Sequence, residues 1–153
     1  MTESVFIAIC GRPEHISDYI FASVNEILYQ RKVHDQKLFA LNKINNQSYH
    51  LAQLKNTNEY LQKITTQTSQ WIFEQQLDSF IVKLFSVRTN QVLEQWCFKI
   101  IYTETEPQQE IKSIFGQILA EVQKMKPLEH KTVFDIVVNV QGAEGQKGWE
   151  KCE

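Results

Sequence analysis

The sequence is poor in glycine, proline and cysteine, and each shortage excludes a class of protein. Its 5 glycines and 3 prolines in 153 residues are too few for a collagen-like, linker-like or disordered chain. The 3 cysteines, Cys10, Cys97 and Cys152, are odd in number and far apart, which argues against a disulfide framework and is typical of a reducing compartment. We therefore expect a protein of the cytoplasm or the nucleus.

Long apolar runs and an excess of one charge are missing too. No apolar run approaches the ~18 residues that a membrane span needs, and the N-terminus lacks the basic start of a signal peptide. The 16 basic and 18 acidic side chains leave a net charge of -2, which gives no general attraction to nucleic acid or to anionic membranes. We expect neither as a direct partner.

What the sequence does have is a hydrophobic content of 42% on a length typical of one domain. Apolar spacing predicts three helices, over 14–30, from an N-cap at Asn56 through Leu77, and from Thr105-Glu106-Pro107 to Pro127. Alternation predicts strands over 5–9, 80–85, 95–102 and 134–140, with two short strands around Asn45-Asn46. Helices and strands mix without regular alternation, which indicates an α+β fold with three helices on one face of a mainly antiparallel β-sheet.

Residues that could support catalysis or metal binding do not cluster. The histidines are scattered, at His15, His34, His50 and His130, whereas a zinc site needs about four converging ligands. Cys97 lies in mid-strand, where we expect a buried structural thiol. We predict no enzyme activity, no metal and no cofactor; an enzyme would need a histidine within hydrogen-bond distance of Cys97.

Four segments, taken together, are more specific. The first helix ends in Ile27-Leu28-Tyr29-Gln30-Arg31, and the hairpin carries Val92-Leu93-Glu94-Gln95-Trp96-Cys97-Phe98. The third helix carries residues 111–118, and the last strand begins Phe134-Asp135. Their order, over about residues 16–149, resembles the HORMA-domain family, and within it the spindle-checkpoint branch. The resemblance implies a single HORMA-like domain over 1–153, acting as a peptide-capturing adaptor that switches between open and closed forms.

The resemblance also implies site residues. The last strand is expected to be the sheet edge that receives a partner peptide by strand addition, and its residues are Thr132, Val133, Phe134, Asp135, Ile136, Val137, Val138, Asn139 and Val140. Residues 141–153 are expected to be a loose tail in which Trp149 marks the start of the safety belt, the segment that wraps the peptide. Gly116 and Gln117 take the places of a dimerisation face on the third helix, where glycine removes a long cationic side chain, so any homodimer should be weak.

The partners that the resemblance implies are a peptide of the anaphase-promoting-complex activator, a peptide of a kinetochore coiled-coil receptor, and an AAA+ ATPase that reopens the closed form. The expected location is the nucleus and cytoplasm, with kinetochores in mitosis. The sequence stops four residues after Trp149, where family members continue, so we expect a truncated belt. Two alternatives stay open, a translesion-polymerase accessory subunit of the same family and a belt-less member with a structural or regulatory role.

Overall fold

The computed structural model describes residues 2–105, 107 and 109–141. In this part of the chain the strands are β1 (Glu3–Gly11), β2 (Phe39–Ile44), β3 (Gln47–Ala52), β4 (Leu77–Ser86), β5 (Val92–Tyr102) and β6 (Thr132–Val140). The helices are α1 (Pro13–Gln30), α2 (Lys55–Phe73) and α3 (Glu110–Gln123), with a short 3-10 turn at Gln36–Leu38. Glu106, the tail from residue 142 onward and its Trp149 lie outside the described residues.

Four strands form the main sheet, in the order β1-β5-β4-β6. β1 runs parallel to β5, whereas β4 is antiparallel to both β5 and β6. The sheet is therefore mixed and mostly antiparallel, which confirms the predicted fold class. β2 and β3 form a separate hairpin, and its two turn residues, Asn45 and Asn46, have φ values of 49° and 65°. Two left-handed residues in sequence suit a tight hairpin turn, and asparagine tolerates this conformation better than most residues.

The core lies between the helices and one face of the main sheet. Alternate strand residues, such as Phe80 and Val82 of β4 and Trp96 and Phe98 of β5, are at most 1% exposed and belong to one apolar cluster with the inward residues of all three helices. The rings of Phe80 and Phe98 stack with centroids 4.7 Å apart. We call the opposite face, turned away from the helices, the outer face. No helix in the described residues is long and apolar enough to cross a membrane.

The predicted limits of α2 are wrong at both ends. The helix begins at Lys55, with Leu54 in the N-cap position and no side-chain cap, so Asn56 lies inside the helix. It ends at Phe73, and the left-handed φ of 58° at Gln75 breaks it before Leu77, which opens β4. An asparagine followed three residues later by an acid is a common pattern, and here it does not mark the start of the helix.

Both predicted limits of α3 are wrong as well, since the helix ends at Gln123 and does not reach Pro127. The helix begins at Glu110, after Gln109 in a left-handed conformation with φ of 57°. Pro107 disfavours helical geometry in the residue before it, so the chain reaches the helix only after Pro107. The carboxylate of Glu110 accepts a hydrogen bond of 2.7 Å from the backbone N–H of Cys10. This contact fastens the start of α3 to β1.

Candidate peptide-binding edge

Two of the segments that carry the family resemblance, the end of α1 and β5, meet in one buried ion pair. The guanidinium of Arg31, at the end of α1, donates to both carboxylate oxygens of Glu94 on β5, and both side chains are about 5% exposed. The indole N–H of Trp96 donates to Glu94 Oε1 at 3.1 Å. Arg31 Nη2 also donates to the carbonyl of Lys126 at 2.9 Å. One pair therefore ties α1 and β5 to the segment between α3 and β6.

β6 is the outermost strand on its side of the described sheet. It pairs with β4 along its whole length, with Ile136 opposite Val82. Its observed bounds, Thr132–Val140, are those of the predicted peptide-receiving strand. Within the described part of the chain no strand pairs with the other side of β6. The backbone groups on that side are the ones an added strand would use.

The direction of each backbone group on β6 can be assigned. The carbonyl of Lys131 and the N–H of Gln141 bond to residues that flank β4, at 3.0 and 2.8 Å. The N–H of Ile136 donates instead to side chains beyond the edge. Because backbone groups alternate in direction along an antiparallel strand, the N–H and C=O groups of Phe134, Ile136 and Val138 point away from β4.

One of these outward groups is covered by side chains. The hydroxyl of Tyr60, on α2, accepts a hydrogen bond of 3.2 Å from the N–H of Ile136 and donates one of 2.7 Å to Asp135 Oδ1. The same carboxylate oxygen accepts from the N–H of Ile136 at 2.9 Å. A hydroxyl and a carboxylate thus share a single edge N–H. We call Tyr60 and Asp135 the edge pair.

Aromatic side chains hold the edge pair in place. The ring of Phe134 meets that of Tyr60 edge-on, with centroids 5.6 Å apart, and meets that of His34 edge-on at 6.3 Å. His34 Nε2 lies 3.0 Å from Thr57 Oγ1, and burial lowers the pKa of this histidine from its usual 6.5. The neutral imidazole is therefore favoured in the folded chain, and it fits between aromatic rings.

Side chains on β6 divide between the two faces of the sheet. Phe134, Ile136, Val138 and Val140 pack on the core and anchor the strand. Val133 on the outer face is 46% exposed. The strand is thus fixed by its inward side chains and by β4, while its free side offers main-chain donors and acceptors. Such an edge can bind an extended peptide through backbone hydrogen bonds, with neighbouring side chains setting specificity.

The two residues predicted as a dimerisation face, Gly116 and Gln117, are both exposed on α3. A Cβ built on Gly116 would meet no atom within 4 Å, so no close packing requires glycine at this position. A shallow depression beside Gly116 is lined by Phe115 and Leu119 of α3 and by Glu26 and Gln30 of α1. Dimerisation through this surface stays a prediction.

The described residues contain no group of three His, Cys, Asp or Glu side chains that could hold a metal ion. Cys97 is half-buried on the outer face beside its strand partners Phe6 and Ile81, so the prediction of a buried thiol is wrong. Burial, and secondarily the nearby Glu110, raise the pKa of Cys10 above its usual 9.0, which disfavours the reactive thiolate.

The sequence did not point to the edge pair. Asp135 lay within the predicted edge strand, but Tyr60 lay in the predicted second helix with no role assigned to it. The two residues are 75 positions apart, and nothing in the local pattern signals that a helix hydroxyl reaches the sheet edge. An aromatic residue that carries a polar group at the border of a helix's apolar stripe is the one available hint.

The described part of the chain packs three helices on a mixed, mostly antiparallel sheet with β6 at one edge, and comparison with known families identifies this class of domain. A model of the HORMA domain matches residues 14–141. The chain belongs to the HORMA-domain family, which confirms the resemblance found in its sequence.

Curated relatives specify the branch. The chain is 26% identical over 149 residues to the mitotic spindle assembly checkpoint protein MAD2A of Mus musculus, covering 86% of this chain and 71% of that protein. It is 25% identical over 144 residues to the mitotic spindle checkpoint protein MAD2 of Zea mays, with 86% and 69% covered. The homologues are thus MAD2 spindle-checkpoint proteins at about 25% identity over most of the chain.

Solved structures show the same fold. A chain in the crystal structure of the mitotic checkpoint complex superposes with a TM-score of 0.82 at 24% identity, over 92% of this chain and 81% of that one. HTP-2 of C. elegans, bound to the HIM-3 closure motif, superposes with a TM-score of 0.60 at 13% identity, over 92% and 75% of the two chains. HTP-1, also bound to the HIM-3 closure motif, gives a TM-score of 0.62 at 14% identity, over 93% and 78%.

Proposed function

We propose that this chain is a spindle-checkpoint HORMA adaptor that captures a short partner peptide by strand addition on β6. The observation that carries the proposal is the edge itself. Phe134 and Val138 direct backbone N–H and C=O groups away from β4, and no acceptor for these N–H groups lies in the described part of the chain. Such groups can bind an extended segment of another chain.

The comparisons support this proposal from two sides. The reported relatives are spindle-checkpoint proteins, which favours the checkpoint branch over the translesion-polymerase branch. Two structures of the same fold are named as complexes with a closure motif, and another belongs to a mitotic checkpoint complex.

The proposed partners follow from the same branch. They are a peptide of the anaphase-promoting-complex activator, whose inhibition is the proposed outcome, and a peptide of the kinetochore coiled-coil receptor. An AAA+ ATPase would reopen the closed form. The proposed location is the nucleus and cytoplasm, with recruitment to kinetochores in mitosis.

The test compares the binding of unmodified peptides with that of peptides methylated on alternate backbone amides. Fluorescent peptides from the source organism's own activator and receptor are titrated against the chain, unmodified and in two series in which every second amide is N-methylated, in opposite frames. An added strand uses only every second amide to bond its neighbour. We therefore expect one frame to abolish binding and the other to leave most of it.

Two results would contradict the proposal. Equal loss in both frames, or in neither, would show that the peptide does not bind as a strand. Absence of binding by the unmodified peptides at concentrations up to about 1 mM, which corresponds to a binding free energy of only about -4 kcal/mol, would reject capture of these partners. A scrambled peptide of the same composition controls for attraction that depends on charge alone.

A further inference from the structure

The edge pair occupies the hydrogen-bond donor that lies at the middle of the proposed peptide edge. Ile136 is the central outward residue, flanked by Phe134 and Val138, and its N–H already has two acceptors, Tyr60 Oη at 3.2 Å and Asp135 Oδ1 at 2.9 Å. Within the described part of the chain, the flanking N–H groups have no such acceptor. Of these three outward residues, the edge pair therefore covers the N–H of Ile136 alone.

An added strand would need this N–H. Neighbouring strands lie about 4.7–4.9 Å apart and bond through every outward donor and acceptor in turn. A strand laid along β6 would place a carbonyl oxygen on the N–H of Ile136, where the Tyr60 hydroxyl now lies. The carbonyl oxygen of the added strand and the Tyr60 hydroxyl cannot both occupy that position. The hydroxyl therefore has to move before the added strand can form an unbroken series of hydrogen bonds with β6.

The contact that holds Tyr60 there does not depend on the hydroxyl alone. Its ring packs edge-on against Phe134, and its hydroxyl donates to Asp135 at 2.7 Å. A phenylalanine at position 60 would keep the ring contact and lose both hydrogen bonds. The effect of the hydroxyl can therefore be separated from that of the aromatic packing.

We propose that Tyr60 and Asp135 guard the β6 edge, so that a partner strand binds only by displacing the Tyr60 hydroxyl from the N–H of Ile136. The guard lowers the affinity for any single strand, including β6 of a second copy of this chain. A continuous partner that gains several backbone bonds overcomes it, whereas a short or interrupted one does not. This inference rests on the proposed strand addition at the same edge.

The first test needs no partner. Amide hydrogen exchange on the free chain should show the N–H of Ile136 to be more protected than those of Phe134 and Val138. Tyr60→Phe should speed exchange at Ile136, and Tyr60→Phe with Asp135→Ala should bring it to the rate of Val138. Equal rates at the three amides in the unsubstituted chain would overturn the guard, whatever the chain binds.

The second test is the affinity for the same peptides. Tyr60→Phe should bind about two- to tenfold more tightly, since a hydrogen bond lost on binding contributes a net 0.5–1.5 kcal/mol. Tyr19→Phe is the matched control, because the Tyr19 hydroxyl accepts from Asn45 at 3.3 Å on the hairpin β2–β3. This substitution should leave the affinity unchanged.

Unchanged or weaker binding by Tyr60→Phe would overturn the inference while leaving strand addition intact. No binding by any variant would reject the proposed function instead, and the exchange rates would still decide whether Tyr60 covers the amide.

Discussion

The buried pair of Arg31 and Glu94 should be the most sensitive polar site in the chain. Glu94→Gln keeps the shape of the side chain and an acceptor for Trp96, but it leaves the Arg31 charge without a counter-ion at about 5% exposure. Removing one partner of a buried pair costs about 3–5 kcal/mol. Because the new amide retains some hydrogen bonds, we expect a loss of about 3 kcal/mol. That is a large part of the roughly 5–15 kcal/mol by which domains are stable.

Urea unfolding followed by tryptophan fluorescence measures this loss, since Trp96 is fully buried and bonds to Glu94. The matched control is Glu14→Gln, which breaks the exposed Arg12–Glu14 pair, whose side chains are 47% and 55% exposed. Surface pairs contribute about 0–1 kcal/mol, so the control should barely shift the midpoint. Arg31→Met combined with Glu94→Gln should recover at least about 1.5 kcal/mol, since the unpaired charge is gone. Equal losses for Glu94→Gln and Glu14→Gln, or a double variant no more stable than Glu94→Gln, would refute the reasoning.

Three further outcomes are expected. Gly116→Ala should raise the free energy of unfolding by about 1 kcal/mol, because alanine favours an exposed helix interior and the new Cβ meets nothing within 4 Å; a loss in urea unfolding would contradict this. The lowered pKa of His34 means that the unfolded chain binds the proton more readily than the folded chain. Stability should therefore fall as the pH drops below about 6.5. In thermal unfolding measured at a series of pH values, His34→Gln should reduce this loss of stability. Burial raises the pKa of Tyr102 to about 12 from 10.0, so its contribution is complete below pH 10 and is lost as the pH rises toward 12. In an ultraviolet titration of the folded chain, Tyr102→Phe should remove the tyrosine that ionises at the highest pH. An unchanged titration would count against the assignment.

The parts of the fold that could be predicted are those whose sequence pattern depends on a single helix or strand. Alternation in β4, β5 and β6 and the apolar spacing of α3 located these elements, because burial of one face imposes its period on the sequence. The hairpin turn at Asn45-Asn46 was visible for the same local reason. The starts of α2 and α3 were not, since neither Leu54 nor Gln109 makes a side-chain capping hydrogen bond.

The candidate site could be predicted only as a strand. Main-chain groups form its edge, and residue identity barely records which side of a strand lies open. The contact of Tyr60 with Ile136 spans 76 positions, and that of Arg31 with Glu94 spans 63. In both cases the local pattern shows a residue suited to a helix or a strand, and its partner emerges only when the chain is folded.

The parallel pairing of β1 with β5 has a consequence for synthesis. Glu3 lies opposite Glu94, so β1 has no partner strand until some 90 further residues have left the ribosome. At about 5–20 residues per second this wait lasts roughly 5–20 s. During it the apolar residues Val5, Ile7 and Ile9 have no sheet to join, whereas β4 and β5 can pair as soon as their short turn is made. The nascent chain should therefore offer β1 to chaperones for longer than any other strand in the described part of the chain.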